Sequence, residues 1–296
     1  MEPPLVSIVT TSYNQAPFLE ETLDSIRAQD YPRVEHLVID DGSTDASPEI
    51  VRRRAEELGW WDVQENQGQV PALNRAFSQA RGDVLGFVNG DDTLLPGALS
   101  RVVDAFVRDP DVLLVYGDIF YVGEDSRRTG FVSAADWNPG RAARTGEQFA
   151  PQPATFWSRR AWELAGPFNE RAWSLFDEEF FLRVASSGRV VRIHQPLATF
   201  RLHPDSKSMS RHERMAEECV RFADEFWGGS APEPLRRHAR SGRATYYRRA
   251  ALNLAAAGDR RAARRLFLRS LALSPRGMTA KQAARLSRTL LPRRGM

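Results

Sequence analysis

The chain has 296 residues, 42% hydrophobic, 10% aromatic and 27% charged, proportions of a folded protein with a sizeable core, which exclude a disordered or fibrous chain. A single cysteine, Cys219, excludes an intrachain disulfide framework and suits a reducing compartment, and the absence of any run of about 18 apolar residues excludes an expected spanning helix. The net charge of +3 hides an uneven split: residues 230–296 hold 17 Lys and Arg against 2 Asp and Glu, leaving 24 basic and 36 acidic residues before them, so the basic tail is expected to meet something anionic.

Met1-Glu2-Pro3-Pro4 lacks the basic start of a secretory signal. Leu5 to Thr10 reads as a buried strand running into the polar loop Thr11-Ser12-Tyr13-Asn14. Phe18, Leu19, Thr22, Leu23 and Ile26 then share one face of a helix, with Pro17 in its first turn and Tyr31-Pro32 as its stop. Glu35 to Ile39 is a second strand, ending in Asp40-Asp41-Gly42-Ser43-Thr44-Asp45. Asp45 or Ser47 caps a helix from about Pro48 to Leu58. Trp60 to Gln64 is a short third strand, followed by the loop Asn66-Gln67-Gly68-Gln69 and a helix over Val70 to Ala80, with Gly82 as its left-handed cap.

Val84-Leu85-Gly86-Phe87-Val88 is the fourth buried strand, closed by the turn signal Asn89-Gly90 and by Asp91-Asp92. Two adjacent carboxylates at the end of a buried strand repel each other and lose hydration. A hard divalent cation with phosphate co-ligands would offset that cost; the plain alternative is a solvated acidic turn. Strands alternating with helices predict a parallel sheet with right-handed crossovers. Ligands of such sheets sit outside the carboxyl ends of the strands, where all these polar loops fall. No Gly-x-Gly-x-x-Gly or Gly-Lys-Ser/Thr loop is present, which argues against a dinucleotide site and a P-loop.

In order, Ser7 to Asn14, Val38 to Asp45, Asn66-Gln67-Gly68, Ala72-Leu73-Asn74, Gly82-Asp83 and Asn89-Gly90-Asp91-Asp92 resemble the family 2 glycosyltransferases. The resemblance spans about residues 5–210. It implies an α/β GT-A fold, a mostly parallel Rossmann-like sheet flanked by helices, and an inverting enzyme fed by a nucleoside-diphosphate sugar, of UDP or dTDP type, with Mg²⁺ or Mn²⁺. Carried over by position, it puts Thr10, Ser12, Tyr13, Asp40 or Asp41, Asn66, Gly68, Asn74, Asn89 and Asp91 on the nucleotide sugar. Asp40 or Asp41 would accept a hydrogen bond from the nucleobase, Asp91 would face the ribose, and Asp92 the metal on the diphosphate. The plain alternative for Asp40 is an Asx-turn with Gly42 and Ser43.

Beyond a helix at Pro96–Arg108, Val112 to Tyr116 is another buried strand and Ile119 to Val122 a further one; residues 123–150 read as a mobile loop or hairpin over the acceptor side. By resemblance, Pro151 to Trp157 leads into the acceptor side, where Gln152 and Trp157 would meet the acceptor. Ser174 to Arg183 opens a helix with Asp177, Glu178 and Glu179 in its first turn, a place the helix dipole favours for acids. The family holds its general base there; alignment on Arg183 gives Asp177, with Phe176 and Glu179 departing from the family's acids. Thr199 to Ser208 resembles a family ending in which Arg201 and His203 reach the diphosphate or the metal. The Gln-x-x-Arg-Trp signature of processive members is absent, so one sugar per acceptor is expected.

The expected division is a catalytic domain over 1–228, with a nucleotide-sugar half to about 118 and an acceptor half over 119–228, then a basic α-helical extension over 229–296. Within the extension, Ala244–Ala257 and Arg260–Leu273, joined by Gly258-Asp259, resemble one tetratricopeptide-type hairpin. The implied protein transfers sugar to a glycan or lipid-linked acceptor in surface polysaccharide or glycoconjugate synthesis, and does not bind nucleic acid. It would be cytoplasmic, with the basic tail as a peripheral contact to the inner membrane face; a solvated arginine surface is the equal alternative for that tail. Two other classes stand beside it. A nucleotidyltransferase needs a Gly-rich basic loop after the first strand, which Thr11 to Asn14 is not. A nonenzymatic scaffold with a basic interaction tail leaves the repeated acids unexplained.

Overall fold

A computed structural model describes residues 2–146, 148–204 and 212–275. The chain divides into two compact units: residues 1–136 with 150–203, and residues 137–149 with 204–296.

In the first unit, the early alternation gives β1 (Val6–Ser12), α1 (Ala16–Arg27), β2 (Val34–Asp40), α2 (Ser47–Arg53), β3 (Trp60–Val63), α3 (Gln69–Gln79) and β4 (Val84–Asn89). β5 (Thr93–Leu94), α4 (Ala98–Arg108), β6 (Val112–Val122) and β7 (Arg128–Val132) follow. After the second unit's α5 (Pro139–Thr145) come β8 (Thr155–Ser158), α6 (Arg159–Ala165), α7 (Phe176–Ser187) and β9 (Arg189–Arg201). The helix expected to run to Leu58 stops at Arg53, with a separate 3₁₀ turn at Ala55–Glu57.

The sheet runs β3-β2-β1-β4-β8-β6-β9-β5, with β7 on β6. β1 to β4 pair in parallel, as expected. The later strands are mixed: β8 is antiparallel to both β4 and β6, and β5 is antiparallel to β9. The two strands expected at 112–116 and 119–122 are one, because β6 continues through Gly117-Asp118 and pairs with β9 along its length. Of the loop or hairpin expected over residues 123–150, the structure has the hairpin, β7 pairing antiparallel with β6, and α5 follows it.

Alternation along β4 explains both faces of the sheet. Val84 and Val88 join Val6, Ile8, Leu99, Val102 and Val115 in one apolar layer. Phe87 points into an aromatic layer with Trp157, Phe168 and Phe176. Gly82 is not a left-handed cap, since its φ is not positive. Its role is close approach: a Cβ there would collide with the Ser7 side chain and backbone, and Gly82 N donates to Ser7 Oγ at 2.7 Å.

The second unit contains α5, α8 (His212–Arg221), a π-type continuation over Phe222–Ser230, α9 (Glu233–Arg236), α10 (Ala239–Ala256) and α11 (Arg260–Leu273). It begins at 204 rather than 229, because α8 and its continuation pack on α10. Phe222 lies on Phe226 (4.7 Å) and Tyr246 (4.5 Å), and Trp227 sits where α10 has Gly242. α10 and α11 form the expected hairpin. Asp259 Oδ1 caps α11 by accepting from Ala262 N at 2.9 Å. Cys219 is buried.

Candidate active site

Register brings the polar loops together at the carboxyl ends of β1, β2 and β4. Ser12 pairs with Asp40, and Thr11 with Asn89. Asp40 is fully buried and makes the Asx-turn: Oδ1 accepts from Ser43 N (2.9 Å) and Oδ2 from Ser43 Oγ (2.6 Å). Asp41 holds the next loop, accepting from Gln64 Nε2 (2.8 Å), Gln67 N (2.9 Å) and Gly68 N (2.8 Å). This leaves Asn66 exposed at the loop and Gly68 at the start of α3. Thr10 does not open onto the loops. It is buried, and its hydroxyl pairs with His36 Nε2 at 2.9 Å. Burial, with a smaller effect of Arg54, pushes His36 down to about 3, so the imidazole is neutral. Ser12 Oγ is buried with no partner among the described residues, and Tyr13 is 49% exposed beside it.

The turn after β4 separates the two adjacent acids. Asp92 is 1% exposed; its Oδ1 accepts from Arg201 N (2.9 Å), and Oδ2 lies 3.4 Å from Asn89 Nδ2. Burial first, and then the neighbouring Asp91, push the Asp92 carboxyl well above the usual carboxylate range. Asp91 faces the other way, with Oδ2 at 3.0 Å from His203 Nε2. The imidazole in turn packs on the Phe18 ring at 5.1 Å. Asp91 and His203 thus form a hydrogen-bonded carboxylate–imidazole pair with oxygen and nitrogen donors that could hold a cation. Their 3.0 Å separation suits two adjacent ligands of a hard ion bound at about 2.1 Å. No cluster of three or more His, Cys, Asp or Glu suited to a metal occurs among the described residues, so further ligands would come from phosphate and water.

Arg201 was expected at the diphosphate, but its guanidinium is spent inside the protein. Nε donates to Asp91 O (2.9 Å), NH1 to Gly123 O (2.8 Å) and Ser126 Oγ (3.0 Å), and NH2 to Glu21 Oε2 (2.7 Å). The side chain is 1% exposed and lies over Phe18 at 4.7 Å. It ties α1, the β6–β7 turn and the Asp91-Asp92 turn into one block. Nothing in the local sequence marks Glu21 or Ser126 for this; both look like ordinary surface residues. Asn89 is likewise held, accepting from Gln69 Nε2 (2.7 Å) and donating to Gln152 Oε1 (3.0 Å). Gln152 is 7% exposed and also donates to Phe87 O, so it braces the turn.

The start of α7 packs against β4 near its carboxyl end. Phe176 packs on Phe87 at 6.0 Å, two residues before Asn89. Asp177 is half-buried and accepts from Glu178 N at 2.7 Å. Glu178 is 6% exposed. Glu179 is tied to Asn169 Nδ2 (3.0 Å) and faces Arg183 Nε at 3.8 Å. Arg183 is an internal brace whose guanidinium donates to the carbonyls of Ala165 and Pro167. Two expected ligand contacts are corrected. Trp157 is fully buried in the aromatic layer, where acceptor cannot touch it. Asn74 spends its amide on Phe168 N and O, holding the segment before α7.

This sheet, with acids at the ends of its parallel strands and a mixed second half, matches solved GT-A structures. A mannosyltransferase from Pyrobaculum calidifontis, solved with GDP-Man and Mn²⁺, superposes with a TM-score of 0.61 at 23% identity, over 97% of this chain and 80% of that one. S. aureus TarS 1–349, solved with UDP-GlcNAc, gives 0.59 at 16% identity, over 93% of each. The family model Glycosyl transferase family 2 matches residues 7–162. The chain belongs to glycosyltransferase family 2. It is 26% identical over 228 residues to an uncharacterized glycosyltransferase of Nostoc sp., covering 72% of this chain and 69% of that protein. It is also 26% identical over 210 residues to the hyaluronan synthase of Pasteurella multocida, covering 70% of this chain but only 21% of that protein.

Proposed function

We propose that this glycosyltransferase moves one sugar, with inversion, from a nucleoside-diphosphate sugar to an acceptor hydroxyl in surface polysaccharide or glycoconjugate synthesis. The observation that carries the reading is the Asp91–His203 pair on a turn braced from beneath by Arg201. Asp91 and His203 would hold Mg²⁺ or Mn²⁺ against the donor diphosphate, and the bound ion would neutralise charge on the leaving group. Asp92 supports the turn, replacing the metal role expected from the sequence. Ser12, Tyr13, the Asp40–Asp41 turn, Asn66 and Gly68 would surround the base and ribose. UDP or dTDP donors are favoured on the family resemblance; Asp40 and Asp41, buried and engaged by Ser43, Gln64, Gln67 and Gly68, would shape the loops around the base.

Asp177 is the proposed base, taking the acceptor proton as the hydroxyl attacks the anomeric carbon. Glu179 is engaged by Asn169 and Arg183, and Glu178 is buried; their role is to fix the first turn of α7. Attack passes through an oxocarbenium-like state, for which positioning and charge count most. No described helix is long and apolar enough to cross a membrane; a cytoplasmic enzyme meeting lipid-linked acceptors at the inner membrane face fits this reading. The test is a thermal-shift panel of UDP, dTDP and GDP sugars with Mn²⁺ or EDTA. A UDP or dTDP sugar should stabilise the protein only with Mn²⁺. Stabilisation by GDP sugars alone would overturn the base preference, and no shift with any nucleotide would overturn the donor site.

A further inference from the structure

The second unit carries a basic cleft that the donor chemistry does not use. Arg144 at the end of α5, Arg237 and His238 ahead of α10, and Arg240 in its first turn line a space of about 720 Å³, with Leu273 and Pro275 as its apolar wall. Among the described residues, no carboxylate lines it. Elsewhere in this unit arginines meet acids: Arg243 and Arg269 share Asp224 (2.9 and 3.4 Å), and Arg221 faces Glu218 (3.9 Å). Among the described residues, Arg144, Arg237 and Arg240 have no such pair.

The three arginines are exposed, and the backbone that carries Arg144 is fixed. Thr245 Oγ1 donates to Arg144 O at 3.0 Å, fixing the end of α5 on α10. A Cβ at Gly140 would press on Arg144 NH1 (3.1 Å) and His238 Cε1 (3.2 Å), so glycine lets them stand together. Arg237 Nε donates to His238 Nε2 at 3.1 Å, which requires a neutral ring. Burial, then Arg237 and Arg144, lower the His238 pKa in the same sense. The 18-residue α10 starts here, and His238 gives its first amides no side-chain cap. Gathered guanidinium groups without a counter-charge repel one another, and the helix's positive end adds to that field. An anion relieves both.

We propose that this cleft binds a phosphate group. Guanidinium forks match phosphate oxygens in bidentate geometry and retain their charge at all physiological pH. Among the described residues, the lining has no Phe, Tyr or Trp ring, the rings on which successive nucleic-acid bases would stack. The phosphate is either free or the headgroup of an anionic lipid, whose apolar portion Leu273 and Pro275 would meet.

The test uses the full chain in EDTA, so that cation-dependent donor binding is not read. Flotation with phosphatidylcholine vesicles, with and without phosphatidylglycerol, is compared with titration by pyrophosphate. Arg237→Glu/Arg240→Glu is set against Arg260→Glu/Arg261→Glu, an equal change of charge on exposed residues outside the cleft. The cleft variant should bind about tenfold weaker or worse, since each basic residue near an anionic surface contributes about fivefold; the control should stay within about twofold. Flotation that pyrophosphate displaces assigns a headgroup. Pyrophosphate binding without flotation assigns a free phosphate. Equal losses in both variants, or no binding by the unmodified chain to either probe, overturn the site.

Discussion

Asp91 and Asp92 are neighbours with opposite fates, and the difference is measurable. Asp92→Asn keeps the size of the buried side chain and an acceptor for Arg201 N, so cation-dependent donor binding should stay within about tenfold of the unmodified chain. Asp91→Asn should abolish the Mn²⁺ dependence of donor binding while leaving the melting temperature nearly unchanged. The reverse ranking in a Mn²⁺ titration would return the cation to Asp92. Asp177→Asn should lower kcat by about 10²–10⁴-fold with donor binding intact; a fully active variant would remove it as base. His36 supplies a pH effect. Its folded pKa, about 3, lies below the unfolded value of about 6.5, so the unfolded chain binds more protons between them. That contribution is intact above about pH 6.5 and is lost as pH falls toward 3, at about 1.4 kcal/mol per unit. His36→Gln should flatten the acid limb of denaturant midpoints between pH 6.5 and 4; an unchanged slope would show His36 charging freely in the fold.

Among the elements, the end of β9 decides whether the site exists. Arg201 connects α1, the β6–β7 turn and the turn after β4 through one planar group. Arg201→Met leaves Glu21 and several carbonyls without the guanidinium. Glu21 is 48% exposed and keeps Ser126 Oγ, so the loss falls on the buried carbonyls, at about 1–3 kcal/mol, and a chemical denaturation curve should show it. Arg201→Lys should recover little, because a single ammonium cannot span the same fork. A stability change below about 1 kcal/mol for both would mean that water replaces the guanidinium at little cost. The aromatic layer has a comparable part in placing α7, since Phe168 and Phe176 carry the helix start onto Phe87.

At the level of the whole molecule, each unit has its own apolar interior, and stability is expected to respond unit by unit. In the second, Gly242→Val places a branched side chain where Trp227 packs. Amide exchange over 212–273 should accelerate while strands β1, β4 and β6 keep their protection. Uniform acceleration across both units would show one cooperative structure instead. The basic tail belongs to this scale too. Its charge is visible in composition, but the α10–α11 hairpin and α5 turn that charge into a cleft only after folding.

The sequence by itself determined the early sheet and its class. Buried strands and amphipathic helices alternate through Asn89 because periodicity is a local property of the chain, and the acids at the strand ends follow directly from where the apolar runs stop. It also placed Asp91, His203 and Asp177 among the candidates. Tertiary structure alone decided which way each side chain faces. Asp92 turns inward because β9, antiparallel to β5, brings it the Arg201 backbone amide, and Arg201 turns inward because the β6–β7 turn and the Asp91 carbonyl offer it acceptors. Trp157 is buried because β8 enters between β4 and β6, a pairing that no local pattern encodes. The partners of these groups lie up to 180 residues away in the chain, as Glu21 does from Arg201, and only the fold brings them within hydrogen-bonding distance.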